Sequence, residues 1–117
     1  MNISKLEEVN IEIPDIMQEG KVIVDVYTEW CGPCKFIAPI LEKFQQEGLI
    51  KVIRIDLDQN RPLGQMFGIT AIPTLLFFNN GELIEQNIEL DGRILVKNGI
   101  MVGAAGEDVM RQIIDQM

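Results

Sequence analysis

The residues in this chain best suited to redox chemistry are its only two cysteines. Cys31 and Cys34 stand in the hexapeptide Trp30-Cys31-Gly32-Pro33-Cys34-Lys35. Three chemistries compete for such a pair. A zinc or iron–sulfur site draws on further Cys or His ligands, and the chain has no His and no third Cys, so a metal would need ligands from a second subunit. Two buried structural thiols would act as small hydrophobes, but Gly32-Pro33 between them is poor core filler. The reading that fits best is a reversible dithiol, made reactive by its surroundings.

Those surroundings can be read from the flanking residues. Lys21 to Tyr27 holds Val22, Ile23, Val24 and Val26 with little polar alternation, which predicts a strand covered on both faces. Asp25 is the anomaly within it. From Pro33 to Glu47 the apolar residues Phe36, Ile37, Ile40, Leu41 and Phe44 recur at helical spacing, with Gly48 as the stop and Pro39 predicting a kink. The dithiol therefore falls where a strand ends and a helix begins. A helix N-terminus offers unpaired N–H groups and partial positive charge, which stabilise a thiolate. Cys31, at the mouth of the helix, is expected to be the nucleophile. Cys34, one turn on, is expected to resolve the mixed disulfide. Pro33 rigidifies the first turn without removing a needed donor.

The remaining segments supply a frame. Residues 1–20 carry weak signals: Ser4 with Glu7 fits a capping box, Asn10 to Ile13 alternates like a short strand, and Pro14 to Gly20 fits a short helix. A strand is predicted over Ile50 to Leu57. A short helix capped by Asn60 and closed by Gly68 follows, then a strand over Thr74 to Phe78. Asn80-Gly81, Asp91-Gly92 and Asn98-Gly99 mark hairpin turns, so Leu83 to Val102 is expected to form an antiparallel meander. Val109, Met110, Ile113 and Ile114 share one face of a C-terminal helix. The order of elements predicts an α/β fold, a mixed sheet with helices on both faces, in one domain over residues 1–117.

The chain resembles the thioredoxin family over nearly its whole length. The resemblance rests on Asp25 six residues before Cys31, the Trp-Cys-Gly-Pro-Cys-Lys hexapeptide, and Pro39. Further on it rests on Asp58-Gln59-Asn60, Gly68-Ile69 with Ala71-Ile72-Pro73-Thr74, Asn80-Gly81-Glu82, and Val102-Gly103-Ala104. It implies the thioredoxin fold, a three-layer sandwich, and a protein-disulfide reductase that serves as an electron carrier. It also implies that Pro73 follows a cis peptide bond beside the dithiol and exposes the Ile72 backbone to an extended substrate segment. Asp25 would be the buried carboxylate beneath the dithiol, with a raised pKa, accepting a proton from Cys34 through a water. Trp30 would be an apolar docking surface, and Gly103 would let a substrate backbone approach closely. The family often has a second Trp where Tyr27 stands here; a packing role is the expectation for it. The family commonly places a Lys near the carboxylate; here the cation is Arg54, which keeps the charge and loses its titration range. The Gly-Pro dipeptide resembles the reducing branch of the family. A redox-inert binding subunit, or a reductase dedicated to one client, are the alternatives.

Composition bounds the partners. A formal net charge of −8 disfavours nucleic acid. The longest nearly apolar run, residues 69–78, contains Pro73 and is too short to span a membrane. No secretory leader is read at residues 1–20, which predicts a cytoplasmic protein. No dinucleotide-binding glycine signature is present, so no cofactor is expected beyond the dithiol, and a separate thioredoxin reductase is implied. Clients would be disulfide-containing proteins. The resemblance gives out between Gly81 and Val102, where the chain carries an extra hairpin at approximately residues 84–99, placed near the C-terminal edge strand. Either an inserted hairpin extending that edge or an added strand fits. If Val102-Gly103 keeps its place, the insertion is expected to project from the edge. A monomer is the expectation, with dimerisation through the extended edge as the alternative.

Overall fold

The computed structural model describes residues 1–117 and is organised around β1 (Lys21–Tyr27). Its β-branched residues make a central strand with neighbours on both sides. It is followed by α1 (Gly32–Gln46), β2 (Lys51–Asp56) and α2 (Arg61–Phe67). Then come β3 (Thr74–Asn79), β4 (Glu82–Leu83), β5 (Ile88–Leu90) and β6 (Arg93–Val96). The chain ends with β7 (Ile100–Val102) and α3 (Glu107–Gln116). β1 pairs in parallel with β2, from Val22 opposite Lys51 to Tyr27 opposite Asp56. It pairs antiparallel with β3, from Lys21 opposite Asn79 to Val26 opposite Thr74. Both β4 and β7 lie along the far side of β3.

Strand periodicity divides the side chains between two cores. Ile23, Leu75 and Phe77 face α1 and α3, packing with Ile37, Leu41, Phe44, Met110, Ile113 and Ile114. Val22, Val24, Val26, Leu76 and Phe78 face the other way, against Leu63 of α2 and against Ile3 and Leu6 of an N-terminal 3-10 segment, Ile3–Val9. Helices thus cover both faces, the layered α/β arrangement expected from the order of elements. By the same alternation Asp25 shares the α1 side of β1.

Of the N-terminal signals, the short helix between Pro14 and Gly20 holds, as a 3-10 turn over Asp15–Gln18, and the other two resolve differently. Asn2, not Ser4, caps the 3-10 segment, its Oδ1 accepting from the Ser4 N–H at 2.9 Å. Asn10 to Ile13 forms no strand: Asn10 takes a left-handed φ of 64° and ends the 3-10 segment. Ile11 and Ile13 are nevertheless buried, so the alternation marks which side chains go inside without implying a ladder. On the free side of β2, the Gln45 side chain accepts from the Val52 N–H at 2.7 Å. Asn60 stands at the N-cap of α2 but makes no side-chain cap; its amide donates to the Asp56 carbonyl at 2.9 Å.

The largest difference lies beyond Gly81. No continuous meander forms. β5 and β6 make a two-stranded sheet of their own, and β4 lies between β3 and the N-terminus, where Glu82 bridges Asn2. The edge strand beside β3 is split. β4 covers Phe78 and Asn79, and β7 covers Thr74 to Leu76. Between them Phe77 donates to the Gly99 carbonyl at 2.9 Å and accepts from the Ile84 N–H at 3.0 Å. The chain leaves at Ile84 and returns at Gly99, on the same residue of β3. The intervening hairpin neither extends the edge nor projects from it. Ile88 and Val96 are buried in the core beneath α1 and α3, because a two-stranded ribbon needs an apolar surface to lie on. The three predicted turns hold, with Asn80-Gly81, Asp91-Gly92 and Asn98-Gly99 all at positive φ.

Candidate functional site

β1 runs into a short loop, and α1 begins at Gly32 with Cys31 as its N-cap. Cys31 and Cys34 form a disulfide, with 5.3 Å between their Cα atoms. The Cys31 Sγ accepts from the Cys34 N–H at 3.2 Å. The first turn of the helix thus points one of its orphan donors at the sulfur that would carry the negative charge after reduction. Pro33 lies in the first turn, where its missing N–H costs nothing, and a Cβ on Gly32 would meet no atom within 4 Å. The surface over the motif is therefore open although the sulfurs are largely covered. α1 runs on unbroken through Pro39, burying Ile37, Leu41 and Phe44 and so fixing the dithiol to the sheet.

Asp25 is completely buried, six residues before Cys31. The parallel register sets Arg54 of β2 directly opposite it, and the Arg54 Nε donates to Asp25 Oδ2 at 3.1 Å. The guanidinium also stacks on Tyr27, with its carbon 4.0 Å from the ring centroid. Tyr27, half-buried, is thus a packing partner for Arg54. Burial raises the Asp25 pKa above the ordinary carboxylate range, and the hydrogen bond and charge of Arg54 oppose that rise. Asp25 Oδ1 has no partner, nor does the buried hydroxyl of Thr28. A cleft of about 340 Å³ lined by Tyr27, Thr28, Glu29, Cys34, Lys35 and Arg54 opens beside the second cysteine. The Thr28 hydroxyl was missed in the sequence. Nothing in its type signals burial, and only its place between the strand and the cysteines could have drawn notice.

Two further segments meet at the same end of the sheet. The Ile72–Pro73 peptide bond is cis. Thr74, which follows it, pairs with Val26 on one side and Val102 on the other. Gly103 donates its N–H to the Pro73 carbonyl at 2.8 Å and takes a φ of 98°, a conformation that suits glycine. Trp30 is 73% exposed, and its indole N–H is tied to Asp58 Oδ2 at 2.9 Å. Asp58, part of the motif behind the family resemblance, was not singled out as a site residue. Its role is legible only once Trp30 is seen to need an anchor. Topology thus brings Trp30, Cys31, Cys34, Ile72, Pro73 and Gly103 to one end of the molecule, with Asp25 buried inside and the partly exposed Arg54 beside it.

Comparison with known proteins agrees with this geometry. The family model described as thioredoxin matches residues 5–100. A thioredoxin of Bacillus subtilis is 43% identical over 72 residues, covering 60% of this chain and 69% of its own length. One from Chlamydia muridarum is 38% identical over 85 residues, covering 71% and 83%. Among solved structures, a mutant thioredoxin from Halobacterium salinarum superposes with a TM-score of 0.68 at 27% identity, covering 97% of this chain and 82% of that one. Mitochondrial thioredoxin 3 from Saccharomyces cerevisiae, in its oxidised form, gives 0.65 at 25% identity, covering 97% and 90%. With its dithiol closed at the start of α1, the chain belongs to the thioredoxin family and is a thiol–disulfide oxidoreductase of proteins.

Proposed function

We propose that this single-domain chain is a reductase of client-protein disulfides. In the reduced state the Cys31 thiolate attacks one sulfur of a client disulfide, forming a Cys31–client bond and releasing the other client sulfur as a thiolate. Cys34 then gives up its proton and attacks Cys31, closing the Cys31–Cys34 disulfide and freeing the second client thiol. Two electrons pass to the client, and a separate thioredoxin reductase returns two to the chain. Asp25 is the acceptor of the Cys34 proton, through water in the cleft that Cys34 shares with Thr28 and Arg54. Ile72, Pro73 and Gly103 form the rail for the client backbone, flanked by the exposed face of Trp30. The observation that carries this reading is the disulfide itself, with the helix aiming the Cys34 N–H at the Cys31 sulfur. Recharging requires a reducing compartment, consistent with a cytoplasmic location. Because the hairpin buries Ile88 and Val96 within its own chain, a monomeric carrier is favoured.

The test is reduction of insulin disulfides with dithiothreitol as the terminal donor. Cys31→Ser should abolish the catalysed rate, a loss on the order of a thousandfold or more. Cys34→Ser should accumulate clients as mixed disulfides through Cys31. Full activity in Cys31→Ser, or trapping that survives it, would overturn the assignment.

A further inference from the structure

Beyond the dithiol, large apolar side chains are exposed at several places, Phe36 of α1 and Ile16 among them. The three large apolar side chains most open to solvent are Trp30 at 73%, Val102 at 63% and Ile94 at 56%. Trp30 belongs to the site already described. Val102 ends β7, one residue before Gly103, and Ile94 lies in β6 of the inserted hairpin. Between the hairpin and α3 runs a groove of about 450 Å³, lined by Ile94, Leu95, Val102, Ala104 and Val109 among others, with Arg93 among its polar lining residues. Its size falls within the range of pockets that bind small ligands, and eight of its eleven lining residues are apolar, with Asp91, Arg93 and Gln112 at its polar side.

We propose that this groove extends the client-binding surface and accepts an apolar side chain of the client, a few residues from the cysteine under attack. The proposal rests on the reading of the dithiol and its rail given above. Continuity names the occupant. Gly103 is bonded to the Pro73 carbonyl, and Val102 and Ala104, its two neighbours in the chain, line the groove. A client strand drawn along Ile72–Pro73 therefore comes to Gly103, where a Cβ would meet nothing within 4 Å, and the next surface is the groove. A second copy of the chain is the weaker occupant, because two bodies of net charge −8 repel. The inserted residues thereby turn a site built for backbone recognition into one that also reads a side chain. Main-chain pairing gives such a surface affinity, and a lateral pocket gives it selectivity.

Two disulfide-linked peptides test this, identical except that one carries leucines and the other serines two to four residues from the cysteine. Wild-type protein should favour the leucine peptide by about tenfold in kcat/KM, chiefly through KM. Ile94→Ser should bring the two within about twofold, Ile94→Leu should keep the preference, and hydroxyethyl disulfide, too small to reach the groove, should be reduced equally by all three. An unchanged preference in Ile94→Ser would overturn the proposal. So would a parallel loss on all three substrates, which would make the hairpin a prop for the site. A dimer that Ile94→Ser dissociates would assign the groove to a second copy instead. The dithiol reading fails separately: Cys31→Ser should still bind the leucine peptide more tightly by calorimetry, and turnover by that variant would overturn the mechanism while leaving the groove standing.

Discussion

The end of the sheet that carries the dithiol and the hairpin beyond Gly81 are stabilised in opposite ways. At the first, polar groups sit where burial makes them costly. Asp25 is enclosed with one oxygen unpartnered, and the buried Thr28 hydroxyl has no hydrogen-bond partner within the chain. At the second, nothing reactive is buried. The hairpin is held by turns at positive φ and by Ile88 and Val96 in the core. The contrast teaches that the catalytic end spends stability to hold a reactive arrangement, whereas the hairpin is placed by turn geometry, satisfied hydrogen bonds and apolar burial.

Glycine substitutions press this contrast hardest. A Cβ on Gly99 would run into the Ile84 carbonyl, where the two ends of the insertion meet, whereas one on Gly92 at the tip meets nothing. Gly99→Ala should lose roughly 3 kcal/mol or more in denaturant unfolding. Gly92→Ala should lose about 1 kcal/mol, the cost of a left-handed conformation. Equal losses would mean that the junction is not a fixed point.

At the catalytic end the sign should reverse. Asp25→Asn should stabilise the fold by about 1–3 kcal/mol at neutral pH while slowing turnover. Because burial raises the folded-state pKa of Asp25, the folded chain favours its protonated form. The penalty is fully present above the raised value and fades as pH falls through it toward the ordinary carboxylate range. The gap between variant and wild type should close over that interval, and a gap independent of pH would dissociate the effect from ionisation.

The smallest effect is expected at the boundary between buried and exposed. Arg54, 44% exposed, opposes the rise in the Asp25 pKa. Arg54→Ala should let that pKa climb further, moving the acid limb of the activity profile to higher pH. Turnover should fall roughly two- to fivefold on that limb and recover at higher pH. An unmoved limb in insulin reduction would remove Arg54 from the site.

The catalytic end was legible in the sequence because its signals are local or carried by rare residues. The apolar run with Asp25 inside it read as a doubly covered strand and is observed as Lys21–Tyr27. Gly48 and Gly68 read as helix stops, and both take positive φ. What was not legible depends on which distant surface wins. Asn10 to Ile13 has the alternation of a strand, yet its backbone ends a 3-10 segment, since so short a stretch has no conformation apart from what it packs on. The hairpin turns were readable from Asn-Gly and Asp-Gly. Where the ribbon lies was not, because that is decided by the core that Ile88 and Val96 enter.

The meeting of Ile84 and Gly99 on Phe77 separates the length of the insertion from its cost. Once two chain ends are clamped side by side, each doubling of the loop between them adds only about 0.6 kcal/mol of closure entropy. The edge of this sheet is therefore a splice point. Sequence could be grafted at the Asp91-Gly92 tip of the ribbon, where an added Cβ on Gly92 meets nothing, to carry a new recognition element. Ile88 and Val96, with Leu90 and Leu95 packed beside them, are the part of the cassette that must stay.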